Sequence, residues 1–207
     1  MADRHMTLDE VEALAKAALR AAGAQESAAA AVARSTRLAE RDGIRSHGLL
    51  YIPIYAEHLR CGKVDASAVP VVTQPRPASI RVDAANGFAH TAIDAGWQDF
   101  TAAARTCGMA ALTLHRSYNC GVLGHHAERL AEAGLLGLCF RSPPSAQAMA
   151  SSTEVLPWPF FPPITVSPIG EGSRWKAFTL FTFSIWTEAI RSFPSGCVFV
   201  LIQLSFG

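Results

Sequence analysis

Two glycines fix the frame of the second half of this sequence. Gly108 and Gly134 each close a helical pattern, and each is followed at once by a short apolar run, Met109 to Leu114 and Leu135 to Phe140. A residue without a Cβ readily takes the left-handed conformation that ends a helix, and six apolar residues make a strand rather than a helix. Upstream, Ser79-Ile80-Arg81-Val82 alternates as a short strand does, and Asn86-Gly87 is a strong turn signal. The spacing predicts a helix over 91–107 with Ile93, Trp97, Phe100 and Ala104 inward, then a polar turn over 115–121 and a helix over 122–133. Strand, helix, strand, turn, helix, strand is an α/β layer order.

The first 68 residues read differently. Thr7-Leu8-Asp9-Glu10 is a capping-box pattern, in which Thr7 and Glu10 satisfy each other's backbone donors. It opens a helix over 8–22 with Leu8, Val11, Leu14, Ala15, Ala18 and Leu19 on one face, stopped at Gly23. A second, alanine-rich helix is expected from Ser27 to Glu40 or Arg41, and a third over 49–60, with Pro53 tolerable in its first turn and Gly62 as its stop. Pro70, Pro75 and Pro77 then mark a linker that cannot stay helical. The expected division is therefore a helical region over 1–68, an α/β region over 69–140 and a tail over 141–207.

Composition excludes some functions. Eighteen basic and seventeen acidic residues leave a net charge of +1, so no broad positive field exists to hold nucleic acid by its phosphates. Five cysteines, odd in number and without a Cys-x-x-Cys pair, argue against a disulfide framework or a zinc site and suit a reducing cytoplasm. The N-terminus has no apolar stretch of the secretory kind, and no run reaches the ~20 apolar residues of a membrane span. We therefore expect a cytoplasmic protein with neither a nucleic-acid nor a membrane partner.

Two stretches carry chemistry. In Asp42-Gly43-Ile44-Arg45-Ser46-His47-Gly48, one imidazole sits in a polar break between two helices. A positioned histidine passes a proton to or from a substrate oxygen, an effect of about 10²–10⁴ in rate. The same residue equally suits a helix cap or a surface turn. In Ser117-Tyr118-Asn119-Cys120-Gly121-Val122-Leu123-Gly124-His125-His126, a glycine-containing turn at a helix start can offer backbone N–H groups to a phosphate. Neither Gly-x-Gly-x-x-Gly nor Gly-Lys-Ser/Thr is written anywhere, so the Rossmann and P-loop devices are absent. His125 and His126 are neighbours that diverge on a helix, and no metal site is expected from them with Cys120.

Arg45-Ser46-His47-Gly48 followed by Leu-Leu-Tyr-Ile-Pro-Ile-Tyr, together with Ser117 to Leu138 and its Ala-Glu-Arg-Leu-Ala-Glu-Ala-Gly-Leu-Leu-Gly-Leu, resembles the type-2, non-Rossmann malate/L-lactate dehydrogenases over about residues 5–145. The resemblance implies a helical N-terminal part on a mixed α/β cofactor-binding part, a homodimer, and NAD or NADP as cofactor for the interconversion of a 2-oxo acid and a 2-hydroxy acid. It makes His47 the catalytic acid/base, with Arg45 and Ser46 binding substrate and Ser117, Asn119 and Gly121 near the cofactor.

Three departures stand out. Tyr51 occupies a place where many members carry arginine, and loss of a guanidinium partner for a carboxylate costs about 1.5–3 kcal/mol. The usual Ser-Asn-His turn reads Ser117-Tyr118-Asn119. After Pro143-Pro144-Ser145 the family's Ala-Pro-Trp-Gly and Asn-Pro segments and the aspartate that partners the histidine are not recognisable. Every histidine lies before residue 141 and most prolines and phenylalanines lie after it. The expectation is a chain whose frame changed near 141, leaving the α/β part incomplete and the tail irregular, with a strand-like alternation at Phe181-Phe183-Ile185 and a short apolar run at Cys197 to Leu204. Its alternative role is a non-catalytic fragment or interaction module.

Overall fold

The computed structural model describes residues 5–141 and 197–202. They belong to one compact unit, residues 1–142 together with 195–207. Helix α1 is Leu8–Ala21, and its capping box is formed on both sides: the Thr7 N–H donates to Glu10 Oε2 at 2.7 Å and the Glu10 N–H to Thr7 Oγ1 at 3.2 Å. Helix α2 is Glu26–Arg41. The expected third helix is divided. Two short 3-10 turns, Arg45–His47 and Leu49–Tyr51, precede α3, Ile52–Arg60, which carries Pro53 in its first turn. A tight 3-10 start suits a proline that has no N–H to give.

These helices enclose one core. Leu19 and Val32 meet Tyr55 and Leu59 there, with Phe88 reaching in from the sheet side. Small alanines on α2, among them Ala29 and Ala33, allow close helix packing.

The sheet is five-stranded in the order β1-β2-β3-β5-β4: β1 is Val71–Arg76, β2 Ser79–Asp83, β3 Met109–His115, β4 Leu136–Arg141 and β5 Cys197–Ile202. Strands β2 and β3 run parallel, joined by α4, Ala89–Cys107, which ends on Gly108 at φ +78°. Helix α5, Leu123–Glu132, leads into β4. The second core lies beneath these helices, with Ile80, Val82, Leu112 and Leu114 of the sheet against Ile93, Phe100 and Leu130. Fully burying such side chains is worth about 1.5–3 kcal/mol each.

Two expectations are corrected. The proline-marked linker is an edge strand: β1 pairs antiparallel with β2, and its register shifts between Thr73 and Arg76, around Pro75. An edge position and a bulge are the two places where a sheet tolerates a residue without an N–H. Trp97 faces the core as expected, half-buried against it, with the Arg129 guanidinium 3.8 Å from its ring centroid. Finally, part of the tail supplies β5, which runs antiparallel to both β3 and β4 with Ala111 opposite Val200 and Leu138 opposite Val200. The strand-like run at Phe181 to Ile185 lies outside the described residues. The architecture is thus mixed α/β with a helical N-terminal part.

Candidate functional site

The histidine corner is built by the end of α2. Gly43 takes φ +70°, and the Ile44 N–H donates back to the Ala39 carbonyl at 2.8 Å, turning the chain out of the helix. Glu40 then reaches over the turn, its Oε1 accepting from the Leu49 N–H at 2.7 Å. A Cβ at Gly48 would lie 2.0 Å from that same oxygen, so the glycine after the histidine is required for the carboxylate to pass. Within the turn, Ser46 Oγ lies 3.0 Å from His47 Nδ1, and the imidazole stacks on Tyr51 at 6.3 Å and 11°. His47 is half-buried, whereas Arg45 and Ser46 are exposed.

The second stretch leaves β3 at its end. Arg116 pairs with Asp83, whose carboxyl this guanidinium holds down at about 2, and the Tyr118 N–H donates to the Gly87 carbonyl at 2.9 Å. Asn119 Oδ1 accepts from the Gly121 N–H at 2.6 Å, a local turn closure, while its NH₂ has no partner among the described residues. Ser117 and Asn119 are half-buried.

No hydrogen bond between described residues joins His47 to Ser117, Asn119 or Gly121. Aromatic rings join the two stretches instead. Tyr51 meets Tyr55 edge-on at 4.7 Å, Tyr55 meets Tyr118 at 5.9 Å, and the Tyr118 hydroxyl lies 2.5 Å from His58 Nδ1. Burial, followed by the neighbouring Tyr51, pushes the Tyr118 phenol up to about 12. His58 gave no signal in the sequence, because only the fold brings it to Tyr118, sixty positions away.

A second junction sits behind the turn. His125 Nε2 lies 2.9 Å from Asp42 Oδ2, and His126 Nε2 lies 2.8 Å from the Cys120 carbonyl oxygen, so the two imidazoles do diverge. Asp42, His125 and Glu128 bring their ligand atoms within 4.8 Å of one another. The Arg41 guanidinium already binds both carboxylates, at 2.7 Å to Asp42 and 2.8 Å to Glu128, and supplies the positive charge there. Alongside is a cavity of about 470 Å³ between α2, α4 and α5, lined among others by Ser35, Arg34, Arg41, His90, His125 and His126. Both ring nitrogens of His90 are buried there without a partner among the described residues, and burial holds its pKa down at about 3.

A family model described as malate/L-lactate dehydrogenase matches residues 6–156, past the point where the sequence changes character. The chain is 39% identical over 151 residues to a Δ1-pyrroline-2-carboxylate reductase of Ancylobacter novellus, covering 73% of this chain and 44% of that protein. It is 42% identical over 145 residues to a (2R)-3-sulfolactate dehydrogenase (NADP(+)) of Chromohalobacter salexigens, covering 70% and 43%. Among solved structures, the δ1-piperideine-2-carboxylate reductase of Pseudomonas syringae pv. tomato superposes with a TM-score of 0.64 at 34% identity, covering 66% of this chain and 41% of that one. The malate dehydrogenase of Pyrococcus horikoshii, at 22% identity and a TM-score of 0.63, shares the fold. The chain spans about two fifths of the length of these relatives.

Proposed function

Because the chain belongs to the malate/L-lactate dehydrogenase family, we propose that it carries the proton-handling side of an NAD(P)-dependent interconversion of a 2-oxo acid and a 2-hydroxy acid, with His47 as the acid/base. The observation that carries this reading is the placement of His47, half-buried between the Ser46 hydroxyl and the face of Tyr51. With Nδ1–H donating to the Ser46 oxygen, Nε2 is left to face a substrate oxygen, giving up its proton from the imidazolium and taking one back on the neutral ring. Arg45, in the same turn, offers the guanidinium for the substrate carboxylate, and Ser46 is a second polar contact. In this reading residues 1–68 bring the proton carrier and 69–140 the cofactor side, in a cytoplasmic homodimer.

The Asn119 NH₂, without a partner among the described residues, and the half-buried Ser117 fit the carboxamide end of a nicotinamide, and Gly121 shapes the turn that presents them. A nicotinamide held by Ser117 and Asn119 would supply the hydride chemistry, while His47 exchanges the proton with the substrate oxygen. The test is to add NADH or NADPH with a panel of 2-oxo acids and follow the loss of absorbance. His47→Ala should lower the rate by about 10²–10⁴ without unfolding the chain.

The second reading is a non-catalytic module derived from that family. No oxidation above blank by the folded wild-type chain establishes that one instead.

A further inference from the structure

His47, Tyr51, Tyr118 and His58 form one wall of rings, each keeping part of its surface in solvent. Its order comes from contacts between separate segments: His47 stacked on Tyr51, Tyr51 edge-on to Tyr55, Tyr55 edge-on to both Phe88 and Tyr118, and Tyr118 hydrogen-bonded to His58. The Tyr118 backbone is fixed as well, by its N–H to Gly87. We propose, resting on the reading of His47 above, that Tyr51 and Tyr118 select the substrate. The wall accepts 2-oxo and 2-hydroxy acids with one carboxylate and a planar or apolar remainder, and turns away those with a second acidic group.

The argument is one of donors and charge. A phenol has a single O–H, and the Tyr118 hydroxyl is already engaged with His58 Nδ1. What the wall presents to a ligand is therefore ring faces more than free donors. Its tyrosines bring no positive charge, and the Tyr118 phenol is held protonated well beyond neutral pH. The histidine turn has one guanidinium, Arg45, which answers one carboxylate. A second carboxylate laid on the rings would lose its water with no cation in return, whereas a flat or apolar group stacks on them. A missing charged partner corresponds to roughly a ten- to hundredfold difference in binding.

The experiment is calorimetric titration of the full chain with mandelate and with malate, each as both enantiomers. These 2-hydroxy acids differ in whether a ring or a second carboxylate follows the reacting carbon. Mandelate should bind at least about tenfold more tightly. Tyr51→Arg should shift the ratio toward malate by about tenfold or more, and the nearly isosteric Tyr118→Phe, which frees the His58 Nδ1, should narrow it by severalfold, with circular dichroism confirming that each variant is folded. Equal affinities in the wild type, tighter malate, or a ratio unmoved in both variants overturns the selection while leaving His47 as acid/base intact. Binding of neither acid by the folded chain overturns the His47 reading and the selection together.

Discussion

His125 Nε2 and Asp42 Oδ2 stand 2.9 Å apart across 83 positions of sequence, tying the start of α5 to the end of α2. The bond joins the two stretches on which the functional reading rests. Arg41 clasps the same carboxylate and, ahead of His125, keeps its pKa at about 2. The imidazole is 7% exposed and its Nδ1 has no partner among the described residues, so there the carboxylate is what satisfies the ring, at Nε2.

Asp42→Ala should therefore destabilise the chain by about 1–3 kcal/mol, the cost of a buried polar group left unpaired. Asp42→Asn keeps an acceptor for Nε2 and should lose less. Urea titration distinguishes the two; equal losses would show that Arg41, and not His125, is what Asp42 serves.

His90 gives a pH dependence. Its folded pKa of about 3 lies below the ordinary 6.5, because burial opposes the charged ring. Over that interval the unfolded chain binds a proton that the folded chain does not, so stability rises with pH. The contribution is complete above about 6.5 and falls away as the pH drops toward 3, with a slope of at most about 1.4 kcal/mol per pH unit for one proton. Wild type minus His90→Leu, compared by urea midpoint from pH 8 to pH 4, should show this slope. A flat difference means that water or a neighbour takes up the proton.

Much of this arrangement was legible in the residues, for local reasons. The Thr7–Glu10 box, the stop at Gly108 and the alternation in Ser79 to Val82 all depend on neighbours within a few positions, and all formed. The Pro70 to Pro77 stretch was misread because an edge strand with a bulge suppresses the penalty that proline carries elsewhere in a sheet. His47 was visible by motif, but the wall beside it was not. Pairing of His58 with Tyr118 depends on where α3 and the turn after β3 meet, which no local pattern encodes. His90 was invisible for the same reason, being one polar residue on a helix face that the fold happens to close over.

Gly96 shows how tightly α4 lies on the sheet. A Cβ there would come within 2.8 Å of Val82 Cγ2 and 2.9 Å of Leu112 Cδ1, both in the closed core. Alanine gains up to about 1 kcal/mol in helix propensity, but overpacking a filled core costs about 1–3 kcal/mol. Gly96→Ala should thus lower stability despite its better propensity. A rise in the urea midpoint would show that the two side chains can move aside.

Gly121 combines two demands that a pair of substitutions separates. Its φ of +69° is left-handed, and a Cβ there would lie 2.7 Å from Ser35 Oγ and 2.9 Å from His90 Nε2. The left-handed conformation alone costs a residue with a side chain about 1–2 kcal/mol, and the contacts add to it. Gly121→Ala should accordingly destabilise by more than about 2 kcal/mol. Adding Ser35→Gly opens one side of the crowded space without touching the backbone angle, so it should recover part of the loss relative to Ser35→Gly alone. The conformational share should remain. Full recovery would make packing against α2 the whole reason for the glycine, and no recovery would leave the backbone angle, with His90, as the constraint that shapes the turn carrying Ser117 and Asn119.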